Sequence, residues 1–78
     1  MHSFEVVFRS FEDVRDFVVL ASAQAFVVFV TGGNHRVDGK SMMVMLSLYY
    51  SQPLQVSASC DREEFLHFME AAARFRVY

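Results

Sequence analysis

The sequence predicts an α+β fold: a two-layer, open-faced β-sandwich with three helices on one face of a four-stranded, largely antiparallel sheet, in the order β-α-β-β-α-β-α. Three observations carry that expectation. The chain is 54% hydrophobic and 21% charged over 78 residues, which suits a single small domain with a compact core and argues against disorder. Apolar residues recur at every second position in some stretches and at helical spacing in others. Capping and turn residues stand where one period gives way to the other.

Ser3–Arg9 alternates, with Phe4, Val6 and Phe8 on one side and Glu5, Val7 and Arg9 on the other, as in a half-buried strand. Ser10 follows as an N-cap, with Asp13 three residues on as its acidic partner. Phe11, Val14, Phe17, Val18 and Ala21 then form the buried stripe of a helix that frays around Ser22–Gln24. From Ala25 the period becomes two. Phe26, Val28 and Val30 face one way and Val27, Phe29 and Thr31 the other, so this is a central strand or one whose outer face meets a partner.

Gly32-Gly33-Asn34 is a turn, and His35–Asp38 a very short returning strand. Asp38-Gly39-Lys40 turns again, Ser41 caps, and the apolar run from Met42 to about Tyr50 is a short helix broken at Ser51-Gln52-Pro53. Leu54–Ser59 alternates with Leu54, Val56 and Ala58 inward. Asp61 and Glu64 make a second capping box. Phe65, Phe68, Met69, Ala72 and Phe75 stripe a last helix running almost to the C-terminus.

The bulk properties exclude several functions. A net charge of −2 and a pI near 5.8 lack the basic face of a nucleic-acid binder. The single cysteine, Cys60, rules out an internal disulfide and fits a reducing cytoplasm. The opening MHSFEVVFRS does not read as a secretory leader. The apolar stretch Phe17–Val30 falls short of the roughly 20 residues needed to span a bilayer and holds Ser22 and Gln24 in its middle. His2, His35, His67 and Cys60 are scattered, so no metal or other cofactor is expected. With no phosphate-cradling glycine loop or nucleophile elbow, nothing in the sequence argues for an enzyme.

The informative stretch is Val37–Leu48, VDGKSMMVMLSL. Ser41 at a helix start can offer its hydroxyl to free backbone N–H groups, and the same place favours a phosphate. Met42, Met43 and Met45 cannot all face inward at helical spacing. Met45, with Met42 or Leu46, can pack on the sheet, leaving Met43 and Val44 as an exposed, adaptable surface for protein docking.

That stretch, within this order of elements, resembles the HPr phosphocarrier family of the bacterial sugar phosphotransferase system over nearly the whole chain. Lys40-Ser41-Met42-Met43 through Leu46-Ser47-Leu48 is similar to the family segment K-S-I-M-x-L-M-S-L. The resemblance implies regulatory phosphorylation of Ser41 by a dedicated kinase. It also implies a docking surface containing Lys40, Met42, Met43 and Leu46. The family's H-x-R-P motif is missing: its phosphoacceptor histidine falls on about Ser10, its arginine and proline near Glu12 and Asp13, and no histidine lies between His2 and His35. Both acids would repel a dianionic phosphoryl group.

The expectation is therefore a cytoplasmic, bacterial HPr-like module that regulates or binds other proteins and does not carry phosphate. Its implied partners are phosphotransferase-system proteins, an HPr-type kinase or a regulator of carbon catabolite repression, with no nucleic acid or membrane. The alternative is a non-phosphorylated structural subunit or homodimer that uses an apolar outer face around Val7, Val27 and Phe29.

Overall fold

Alternation sorts the strands into two faces, and the apolar face sets the architecture. The computed structural model describes residues 1–48 and 52–77. Strands β1 (His2–Val6), β2 (Val27–Gly32), β3 (His35–Asp38) and β4 (Leu54–Ser59) form one sheet in the order β1-β4-β2-β3, with every neighbouring pair antiparallel. The register lines Phe4, Val56, Val30 and Val37 across all four strands on one face. The next row, Glu5, Gln55, Thr31 and Arg36, lies on the other.

Three helices cover the apolar face: α1 (Phe11–Ser22), α2 (Met42–Met45) and α3 (Arg62–Ala71), followed by a 3-10 turn at Ala73–Phe75. Val14, Phe17, Val18 and Ala21 of α1, Met45 of α2, and Phe65 and Phe68 of α3 join the strand residues in one core. Phenylalanine rings bind the layers together. Phe17 lies 5.2 Å from Phe8 and 5.8 Å from Phe75, and Phe68 lies 5.7 Å from Phe4 and 5.6 Å from Phe26, all tilted or edge-on. Such geometries add about 0.5–1.5 kcal/mol per pair beyond burial. The fold class is the one the sequence predicts.

Four local expectations are corrected. Helix α2 is a single turn and does not reach Tyr50. After Met45 the backbone tightens, with Ser47 N–H donating to Val44 O at 3.1 Å and Leu48 N–H to Met45 O at 3.2 Å, while the Ser47 hydroxyl donates to the same Val44 carbonyl. Tyr49, Tyr50 and Ser51 lie outside the described residues.

The last helix stops at Ala71. The 3-10 turn keeps Phe75 inward, so the apolar spacing persists although the helix does not. Beyond it the chain extends along β1: Val7 N–H donates to Phe75 O at 2.8 Å and Val77 N–H to Glu5 O at 3.1 Å. Strand β1 leaves β4 at Val6, opposite Leu54, where β4 itself begins after Pro53, short of the expected Arg9, although Phe8 stays buried. Phe11, at the first helical position, is 47% exposed, because Phe8, Phe17 and Phe75 already fill the space beneath that turn.

Candidate functional site

The turn from β3 into α2 is built by backbone constraint. Gly39 is buried against β2, with its N–H donating to Val28 O at 2.8 Å. A Cβ there would stand 2.9 Å from Val28 Cγ1 and 3.3 Å from both Val28 O and Val30 Cγ2, so only glycine fits. Asp38 Oδ1 accepts Lys40 N–H at 2.9 Å and Asp38 O accepts Ser41 N–H at 3.2 Å, closing the turn.

Lys40 is half-buried and reaches back across the helix layer. Its Nζ donates to Gln24 O at 2.8 Å, just past the C-terminal end of α1, where the helix dipole favours a cation. The charge that the sequence offers to a partner is thus engaged within the molecule.

Ser41 occupies the N-cap position, its carbonyl accepting Met45 N–H at 3.0 Å. Its side chain makes no capping bond, contrary to expectation. Ser10 and Asp61, which do cap, have ψ of 168° and 175°, whereas Ser41 has ψ 109°, which turns its hydroxyl from the free N–H groups. Met45 is buried and Met42 packs partly against the core. Met43, at 86% exposure, projects with Val44 and Leu46 into solvent. The sequence-predicted docking residues therefore surround Ser41 on one turn, but with a half-buried Met42 and an engaged Lys40.

The N-terminus of α1 is occupied by the chain's own carboxylate. Ser10 Oγ accepts Asp13 N–H at 3.3 Å, and Asp13 Oδ2 accepts Arg9 N–H at 3.0 Å, one residue earlier than a capping box requires. Arg74 then clamps the turn from the far end of the chain, with Nη1 3.0 Å from Asp13 Oδ1 and Nη2 2.7 Å from Asp16 Oδ2. The Arg9 N–H bond holds the Asp13 carboxyl below its ordinary 3.8; partial burial opposes this, and Arg74 reinforces it. Sequence spacing pointed to Ser10 and Asp13 but missed Arg74, which reaches them only because the chain folds back along β1.

The remaining candidates stand apart. His2 stacks on Phe65 at 4.8 Å, while His35 and His67 are exposed on β3 and α3. Burial, with Glu64 and Asp61 nearby, pushes the Cys60 thiol up, so it stays protonated at neutral pH. Among the described residues, no group of three or more His, Cys, Asp or Glu side chains could hold a metal ion, and no helix is long and apolar enough to cross a membrane.

On the helix-free face, Val27 is half exposed and Phe29 lies under the Arg36 guanidinium, 3.9 Å from its ring centre. Ser3 and Ser57 share the Phe29 row, and Gln55 Nε2 donates to Ser3 Oγ at 2.8 Å. Val7 follows the Leu54 end of β4 and Val27 pairs with its Ser59 end, about 17 Å apart at ~3.4 Å per residue. Polar residues thus divide the apolar positions that the sequence grouped together.

The chain superposes on the crystal structure of HPr-C-His from Thermoanaerobacter tengcongensis with a TM-score of 0.71 and 21% sequence identity, covering 99% of this chain and 100% of that one. The fold is HPr-like. No protein-family model matches the chain, and no curated protein does.

Proposed function

We propose that this chain, built on an HPr-like fold, is a regulatory or protein-interaction module of the phosphoenolpyruvate-dependent sugar phosphotransferase system in the bacterial cytoplasm, and not a working phosphocarrier. The observation that carries the reading is the start of α1. Where the resemblance places a phosphoacceptor histidine, Ser10 and Asp13 cap the helix, and Arg74 is bound to Asp13 and Asp16. The Asp13 N–H is taken by Ser10 Oγ, the Arg9 N–H and the Arg74 guanidinium are bound to the chain's own carboxylates, and Glu12 and Asp13 stand against a second anion.

The working surface in this reading is the α2 turn. Ser41, whose hydroxyl makes no capping bond, is the phosphoryl acceptor for an HPr-type kinase, and Lys40 lies next to it. Met43 and Leu46, with the exposed part of Met42, provide an apolar, adaptable docking surface. Phosphotransferase-system proteins, the kinase or a regulator of catabolite repression are the partners. Phosphorylation would add a charge of about −1.5 to −2 beside that surface and so change partner preference.

The test uses phosphoenolpyruvate and the first enzyme of the system, with an ordinary HPr as positive control. No acid-labile phosphate is expected on this chain, and micromolar binding to at least one such partner protein is expected. Stoichiometric phosphohistidine, or no binding to any of these partners, would overturn the reading.

A further inference from the structure

The chain carries five methionines and one cysteine, whose sulfurs are its most readily oxidised side-chain atoms. The fold sorts them by exposure. Met45 is 1% exposed in the core, and Met42 and Met69 pack partly against it. Cys60 is half-buried with its thiol held protonated, whereas oxidation proceeds through the thiolate. Two thioethers stand open to solvent, Met43 at 86% and Met1 at 74% exposure.

These two differ in their place in the molecule. Met1 precedes β1 and the α2 turn follows β3, so β4 and β2 lie between them in the sheet. Met43 shares its turn with Val44 and Leu46, exposed side chains that a peroxide leaves alone. Two positions on, Met45 anchors the same turn to the core. The bonds that close the turn run between backbone groups and the Ser47 hydroxyl, with no part for a methionine side chain. One turn thus presents one thioether to water and hides the next, and oxidation can change its surface without reaching the core.

We propose that Met43 is a site of reversible sulfoxidation, whose product weakens docking at the α2 turn and leaves the fold intact; the docking half rests on the function proposed above. The thioether sulfur takes one oxygen from hydrogen peroxide. An S–O bond forms, the O–O bond breaks, sulfur loses two electrons to the peroxide, and the second oxygen leaves with both protons as water. A flexible apolar group becomes a polar, chiral one. Water satisfies the new oxygen in the free chain, whereas an apolar partner surface does not, so the change acts on the complex and not on the monomer. A methionine sulfoxide reductase supplied with a dithiol reverses it: the S–O bond breaks, the dithiol becomes a disulfide and the oxygen leaves as water.

Timed exposure of the full chain to dilute hydrogen peroxide tests this, with catalase ending each reaction and peptide fragmentation in the mass spectrometer locating the added oxygen. Met43 and Met1 should be oxidised at comparable rates, each at least about tenfold faster than Met45. The urea midpoint of the oxidised chain should match that of the untreated chain. In titration calorimetry, peroxide treatment should weaken binding to an HPr-type kinase at least about tenfold, and reductase treatment should restore it. Met43→Leu keeps Met1, and its affinity, whatever the starting value, should be the same before and after peroxide. Oxidation of Met45 as fast as Met43, a lowered midpoint, or a peroxide response that persists in Met43→Leu would each overturn the proposal. An untreated chain that does not bind the kinase would overturn the docking half, whereas the oxidation site stands or falls on the fragment map and the midpoint.

Discussion

The guanidinium of Arg74 lies 3.0 Å from Asp13 Oδ1, binding the segment that ends the chain to the first turn of α1. One carboxylate thereby fills three roles. It accepts the Arg9 N–H, anchors the C-terminal segment and occupies the anion-favouring end of the helix.

That arrangement has a pH signature. The folded Asp13 carboxyl titrates below its ordinary 3.8, so its contribution to stability is complete above that value and is lost as pH falls through the lower folded value. Asp13→Asn should cost about 1–2 kcal/mol at neutral pH. In urea denaturation the gap to the native chain should shrink as acid protonates Asp13. A deficit unchanged in acid would remove the carboxylate's charge as its cause.

The Lys40 ammonium ties the α2 turn to the end of α1. Lys40→Met keeps much of the stem's packing but removes the bond to Gln24 O, and should lower stability by about 1 kcal/mol. Amide exchange at Ala23 and Gln24 should accelerate. Unchanged exchange there would mean that the tether contributes little.

Gly39→Ala should be among the most harmful small substitutions, at about 1–3 kcal/mol, since the new methyl meets Val28 Cγ1 at 2.9 Å and the β2 backbone behind it. Denaturant unfolding of this variant measures the cost directly. A variant as stable as the native chain would show that the turn can move away from β2.

Two methionines two residues apart should separate folding from docking. Met45→Ala removes a buried side chain and should cost about 2–5 kcal/mol. Met43→Glu alters a side chain that is 86% exposed and should change stability by less than about 0.5 kcal/mol. In titration calorimetry it should nonetheless weaken binding to a phosphotransferase-system partner. Equal binding by Met43→Glu would place the docking surface elsewhere.

Much of this fold was legible because its signals are local. The inward rows of β2 and β4, the turn between β2 and β3 (read over Gly32-Gly33-Asn34, with Gly32 falling in β2) and the Asp61–Glu64 capping box each follow from spacing within a few residues. What escaped depends on distant chain. Phe75 keeps helical spacing although the backbone around it is a 3-10 turn, and the pairing of residues 75–77 with β1 leaves no local pattern. At the candidate site, the exposure of Met43 was readable from periodicity. The uncapped Ser41 hydroxyl depends on one backbone angle, and the Lys40 and Arg74 bonds on tertiary reach, which spacing does not encode.

Intact mass after incubation with an active HPr-type kinase and ATP, on the native chain and on Ser41→Ala, bears most directly on the proposed function. The proposal predicts one phosphoryl group added to the native chain and none to Ser41→Ala. No addition while the kinase modifies an ordinary HPr, or addition that persists in Ser41→Ala, would contradict it.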